Sequence, residues 1–199
     1  ISTNRASLIL VFVDDTKGWV YTVESNVADL GAPLFITATG GTVTESGDYK
    51  IHSFTGDGCF VVSSVGNPIG SVSVDYLVVA GGGGAQGSVA AGNASGGAGA
   101  GGYRTSFPSP AGVIPVSSTT YSITIGAGGT AGPGSESGEG GTGSNSVFSS
   151  ITSSGGGKGG NMYGPATGPS RAGGNGGSGG GAGGGQFNTI GGSGNTPPV

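Results

Sequence analysis

Three stretches of this chain match the outlines of loops that do chemistry. Gly82-Gly83-Gly84-Ala85-Gln86-Gly87 fits G-x-G-x-x-G and follows an apolar run, as in a dinucleotide-binding turn. That chemistry needs a helix N-terminus for the pyrophosphate and an acidic residue about 20 positions on. Residues 88 to 102 carry only Gly, Ala, Ser, Val and Asn, with no apolar helical face, and no Asp or Glu stands at the required distance. Gly155-Gly156-Gly157-Lys158-Gly159 resembles a phosphate loop but has Gly159 where the magnesium-binding Ser or Thr belongs. Gly176-Gly177-Ser178-Gly179-Gly180 fits G-x-S-x-G without the strand and helix that build a nucleophile elbow.

Side chains offer no better constellation. His52 is the sole histidine and Cys59 the sole cysteine, too few for a zinc site and no basis for a disulfide. His52 reads as a strand residue on a sheet face, and Cys59, in Cys59-Phe60-Val61-Val62, as a buried strand thiol. Glu136 and Glu139 lie in a glycine tract that gives paired carboxylates no scaffold. No calcium-loop spacing occurs. The expectation is a protein that is not an enzyme, with no cofactor and no metal. A net charge of −4 without a basic cluster argues against nucleic acid. Apolar runs of strand length fall short of the roughly 20 residues a membrane-spanning helix requires, so no membrane insertion is expected.

The elements that would position anything are set by glycine. Of 50 glycines, nine precede Val79-Ala80 and 41 follow. The tract beyond has little side-chain volume to form a core and a large ordering entropy to overcome. Apolar residues nevertheless recur in it, from Tyr103 to Ile190, and charged residues are only 8% of the chain, which argues for order. Glycine recurs in threes at Gly126, Gly129 and Gly132 and at Gly173, Gly176 and Gly179. Polyproline II has three residues per turn, so this spacing puts glycine along one edge, where backbones can approach and hydrogen-bond.

Before the tract, β-branched and aromatic runs separated by turn residues predict strands. Residues 7–13 and 19–23 read as a hairpin, within a unit spanning 1–30. Residues 34–38, 49–54, 59–62 and 72–80, with 121–125, read as a scaffold. The predicted fold is all-β: a hairpin, then a β-sandwich-like sheet, with glycine-rich excursions packed as polyglycine or polyproline II helices and almost no α-helix. The second unit is taken as 34–199, with scaffold at 34–80 and about 121–126 and glycine-rich segments at 81–120 and 127–199. Its last residues are expected to continue beyond Val199. Gly81, Gly82, Gly83 and Gly84 are expected to pack against other backbones, where a Cβ would intrude. Tyr103, Phe107, Tyr163 and Phe187 are candidate contact residues, because aromatics between glycine loops suit interfaces and sugars; the competing reading is that each pins the bundle.

Several of these stretches together resemble one family. Val74-Asp75-Tyr76-Leu77-Val78-Val79-Ala80-Gly81-Gly82-Gly83-Gly84 is similar to the junction in the glycine-rich domain of bacteriophage tail-fibre and receptor-binding (adhesin) proteins. Gly47 to Phe54 and Gly58-Cys59-Phe60 before it, and Gly101-Gly102-Tyr103-Arg104 and Tyr121 to Gly129 after it, are similar to the same domain in the same order. The resemblance implies a virion tail fibre, a homotrimer, polyglycine II packing, and a distal part that contacts a host-surface receptor, glycan or outer-membrane protein. A cell-surface filament or extracellular matrix protein is the alternative.

Overall fold

A computed structural model describes residues 8–24, 32–87, 94–107, 112–133, 139–161, 171–184 and 190–194. The fold is all-β, and no α-helix occurs among these residues. Strands β1 (Leu8–Asp14) and β2 (Gly18–Glu24) form the expected hairpin, which among the described residues pairs with no other strand. Asp14 Oδ1 accepts the Thr16 and Lys17 N–H groups in its turn. Phe12 and Trp19 are register partners with rings edge to face at 5.5 Å.

The scaffold follows as β3 (Thr37–Thr39), β4 (Thr42–Ser46), β5 (Tyr49–Ser53), β6 (Gly58–Ser64), β7 (Ser73–Val74), β8 (Leu77–Val79), β9 (Tyr103–Thr105), β10 (Ile114–Pro115), β11 (Thr120–Thr124), β12 (Ser146–Phe148) and β13 (Ile151–Ser153). A five-stranded antiparallel sheet has the order β13-β12-β11-β6-β3, and β4-β5, β7-β10 and β8-β9 are two-stranded ribbons. Alternation along β6 buries Phe60 and Val62 and turns Cys59 and Ser63 outward. Phe60 lies opposite Tyr121, and Ile123 opposite Phe148. The rings of Phe60, Tyr121 and Phe148 meet at 6.1 to 6.4 Å. Phe60 and Phe148 join Val62, Val78, Val116 and Ile123 in the buried apolar core, with Tyr121 packed against it.

Three expectations are corrected. Cys59 is exposed, because the pleat that buries Phe60 and Val62 points its neighbours away. The run 72–80 is two short strands: β7 pairs β10 and β8 pairs β9, with Asp75 and Tyr76 between them. Ser106 holds that break by accepting Tyr76 N–H (2.9 Å) and donating to Asp75 Oδ1 (2.8 Å). In the 34–38 stretch the strand starts only at Thr37, and Leu34 and Phe35 are exposed.

The β12–β13 turn holds Ser149 at φ 54°, a left-handed conformation that a Cβ disfavours. Ser149→Gly relieves this at some cost in chain entropy. A net stabilisation of roughly 0.5 kcal/mol is expected by urea denaturation; a loss of stability would show that the serine side chain holds the turn.

Candidate functional site

The glycine tract folds onto itself through backbone hydrogen bonds that repeat every third residue. Gly96, Gly99 and Gly102 donate to the Gly160, Gly157 and Ser154 carbonyls at 2.7 to 2.9 Å. Gly184, Gly181 and Ser178 donate to Ala94, Gly97 and Ala100 at 2.7 to 3.0 Å. Gly81 and Gly84 donate to Ser144 and Gly141, and Gly129 and Gly132 to Gly82 and Ala85. Exposure has the same period: Ala94, Gly97 and Ala100 face out, while Gly96 and Gly99 are buried. A three-residue repeat in both bonding and burial is that of polyglycine II. Adjacent passes run both parallel and antiparallel, so backbone amides do the work that side chains do in an ordinary core.

Glycine is required wherever another backbone occupies the Cβ position. A Cβ on Gly81 would overlap the Ala127 carbonyl, one on Gly83 that of Gly157, and one on Gly84 that of Thr130. Gly82 departs from the expectation. Its carbonyl accepts from Gly129 N–H, but a Cβ there would make only ordinary contact, 3.8 Å from Gly99 O.

At the junction of scaffold and lattice, β8 and β9 present a small apolar face. Val78 is buried, whereas Leu77 and Val79 on either side of it are exposed. Val79 is the register partner of Tyr103, which is 62% exposed. Phe107, also 62% exposed, follows two residues beyond β9. Thr105 Oγ1 accepts Phe107 N–H at 3.0 Å and donates to Tyr76 O. Tyr103 and Phe107 are thus both presented to solvent near the lattice. Tyr163 and Phe187 lie outside the described residues. The sequence reading missed Leu77 and Val79, which it assigned to a central strand; their i, i+2 spacing about Val78 was the available signal.

The remaining chemistry-bearing groups are engaged locally. His52 Nδ1 lies 2.8 Å from Gly40 O, and its ring stands edge-on to Phe60 at 5.1 Å. Asp57 Oδ1 accepts Ile125 N–H at 2.8 Å and so ties a turn to the end of β11. Asp57, Phe54 and Cys59 border a cleft of about 360 Å³ whose other walls include Gly40 and Gly41. Both glycines have positive φ, at 114° and 63°. No cluster of three or more His, Cys, Asp or Glu occurs among the described residues. Gly82 to Gly87, the dinucleotide look-alike, is a lattice pass in extended backbone, with Gln86 bridging Gly132. Lys158 of the phosphate-loop look-alike pairs with Glu139. Among the described residues no helix is long and apolar enough to cross a membrane.

No curated protein and no solved structure matches the chain. A family model described as a glycine-rich domain matches residues 55–197, from the β6 approach through the whole lattice. The chain therefore belongs to the glycine-rich domain family.

Proposed function

We propose that this chain is a non-enzymatic structural and adhesive segment of a bacteriophage tail fibre, near the distal end, that binds a receptor on the host surface. The observation that carries the reading is an exposed aromatic and aliphatic face, Leu77, Val79, Tyr103 and Phe107, set beside a lattice held by backbone hydrogen bonds. Such a lattice has few rotamers to freeze, so groups anchored to it bind with little ordering entropy. The junction motif supports the phage assignment. The ligand is a glycan or an outer-membrane protein, since exposed tyrosine and phenylalanine suit either.

The working particle is a homotrimer. Val11, Phe12, Val13 and Trp19 of the hairpin are all exposed, Trp19 by 68%. Consecutive apolar residues occupy both faces of a ribbon too small to bury them, so other copies of the chain cover them. The same construction would serve a filament or matrix protein at a cell surface, and binding to intact cells separates the two readings.

The test uses the fluorescently labelled chain, a panel of Gram-negative cells and their outer-membrane vesicles. Saturable binding to some strains is expected, weakened about tenfold or more by Tyr103→Ala with Phe107→Ala at unchanged melting temperature. Light scattering is expected to give three chains per particle, reduced by Trp19→Ser. No binding to any strain, or binding indifferent to both aromatic substitutions, would remove the adhesive reading. A monomer at high concentration would remove the trimer.

A further inference from the structure

The 154–161 pass is the centre of the lattice. Gly155, Gly156, Gly157, Gly159, Gly160 and Asn161 are all buried, and Ser154 and Lys158 are half-buried. With three residues per turn, its N–H groups point in three directions and its carbonyls in the three between, so a filled lattice gives it six neighbours. Two donor rows are complete. Gly156 and Gly159 donate to Gly81 and Gly84; Gly157 and Gly160 donate to Ser178 and Gly181. Three neighbours donate to it: Gly143 to Gly156 O, Gly99 to Gly157 O, and Gly174 to Lys158 O.

The neighbours are also bonded in sequence around it: 139–145 to 81–87, 81–87 to 94–102, 94–102 to 178–184, and 178–184 to 171–177. Donors and acceptors alternate around this ring. Among the described residues the ring has five members, and the sixth place lies between 139–145 and 171–177. The third donor row, which includes Gly155 and Lys158, faces that place. There Gly155 N–H bonds a side chain, Asn145 Oδ1, at 2.9 Å. Lys158 N–H meets no acceptor among the described residues. The Lys158 side chain crosses the gap: its Cγ lies 3.0 Å from the Cβ position of Gly174, and its Nζ pairs with Glu139 Oε2 on the 139–145 pass. The Lys158 side chain is 25% exposed and that of Glu139 34%.

We propose that Lys158, Glu139 and Asn145 form a seal over the sixth lattice place. The seal substitutes for a glycine pass and keeps a glycine segment of a second copy from docking on the Lys158 amide. An unpaired row of amides is a template for further chains, and edge strands of sheets are guarded against this by lysine in the same way. The asparagine amide supplies the carbonyl the absent pass would have given to Gly155. The lysine stem fills the volume, and its charge makes the place unfavourable for a dry backbone contact.

Residue-resolved amide exchange on the whole chain tests this. Lys158 N–H is expected to exchange about 100-fold faster than Gly157 N–H, its neighbour in a filled direction. Asn145→Ala is expected to accelerate Gly155 similarly while Gly157 stays slow. Equal protection of Lys158 and Gly157 would mean that backbone fills the sixth place, and the proposal would fail. Sedimentation velocity supplies the second arm. Lys158→Gly is expected to enlarge the wild-type particle with rising concentration, whereas Lys158→Met, which keeps the stem but loses the charge, enlarges it less. A Lys158→Gly particle that stays at wild-type size overturns the seal. If that variant does not fold, the exchange rates in the wild type and in Asn145→Ala decide.

Discussion

Gly157→Ala is expected to abolish folding of the glycine lattice, a loss above about 3 kcal/mol, while Gly97→Ala raises stability by about 0.4–1 kcal/mol. The two residues differ above all in what stands where a Cβ would go. At Gly157 the methyl would overlap the Gly174 carbonyl and lie 2.8 Å from Gly180 N. Those atoms are backbone, held by the bonds from Gly174 to Lys158 and from Gly180 to Gly174, so neither can move without breaking the lattice. At Gly97 nothing lies within 4 Å, and the position is exposed. An alanine there adds no clash and narrows the unfolded ensemble. Chemical denaturation of both variants is the measurement. Equal effects at the two positions would show that glycine is needed for flexibility and not for close approach. Gly82→Ala belongs with Gly97→Ala, since a Cβ there meets Gly99 O and Gly101 N only at ordinary contact distance.

Phe60→Ala carries the second large effect, a loss of about 3–5 kcal/mol. Phe60 is the hub of the scaffold core, touching the rings of His52, Tyr121 and Phe148. These come from β5, β11 and β12, so the cavity would open between separate elements, and no single side chain could close it. The consequence reaches the lattice, because β8 and β9, which lead into it, pack on β12 and β13. A melting temperature within a few degrees of wild type would mean that the lattice carries the stability alone. That outcome would reverse the expected dependence of lattice on scaffold.

Much of the scaffold was legible locally. Leu8 to Val13, Trp19 to Val23 and Tyr49 to Ser53 are β-branched and aromatic runs bounded by turn residues, and each forms a strand. The triplet spacing of glycine pointed to three residues per turn, and the hydrogen bonds of the folded chain repeat at that interval. What misled was pattern without partner. The run from Val72 to Ala80 looks continuous, yet Ser106, more than 25 residues away, holds Asp75 and Tyr76 in a break. Cys59 looks buried among Phe60, Val61 and Val62 until the pleat fixes which side faces the core. Lys158 looks like a misplaced phosphate-loop lysine, and its pairing with Glu139 emerges only once 139–145 lies beside 154–161.

Composition and periodicity by themselves determined the class of this chain: a β-scaffold ahead of a glycine tract able to pack backbone on backbone. They did so because strand propensity, turn residues and a three-residue repeat are properties of short windows. Which glycines are indispensable, which are free, and which place in the lattice stays open to a side chain were decided by the tertiary structure alone. Glycine has no side chain to record its neighbour, so Gly157 and Gly97 are the same letter in the sequence. They become different only when the Gly174 carbonyl arrives at one and solvent at the other.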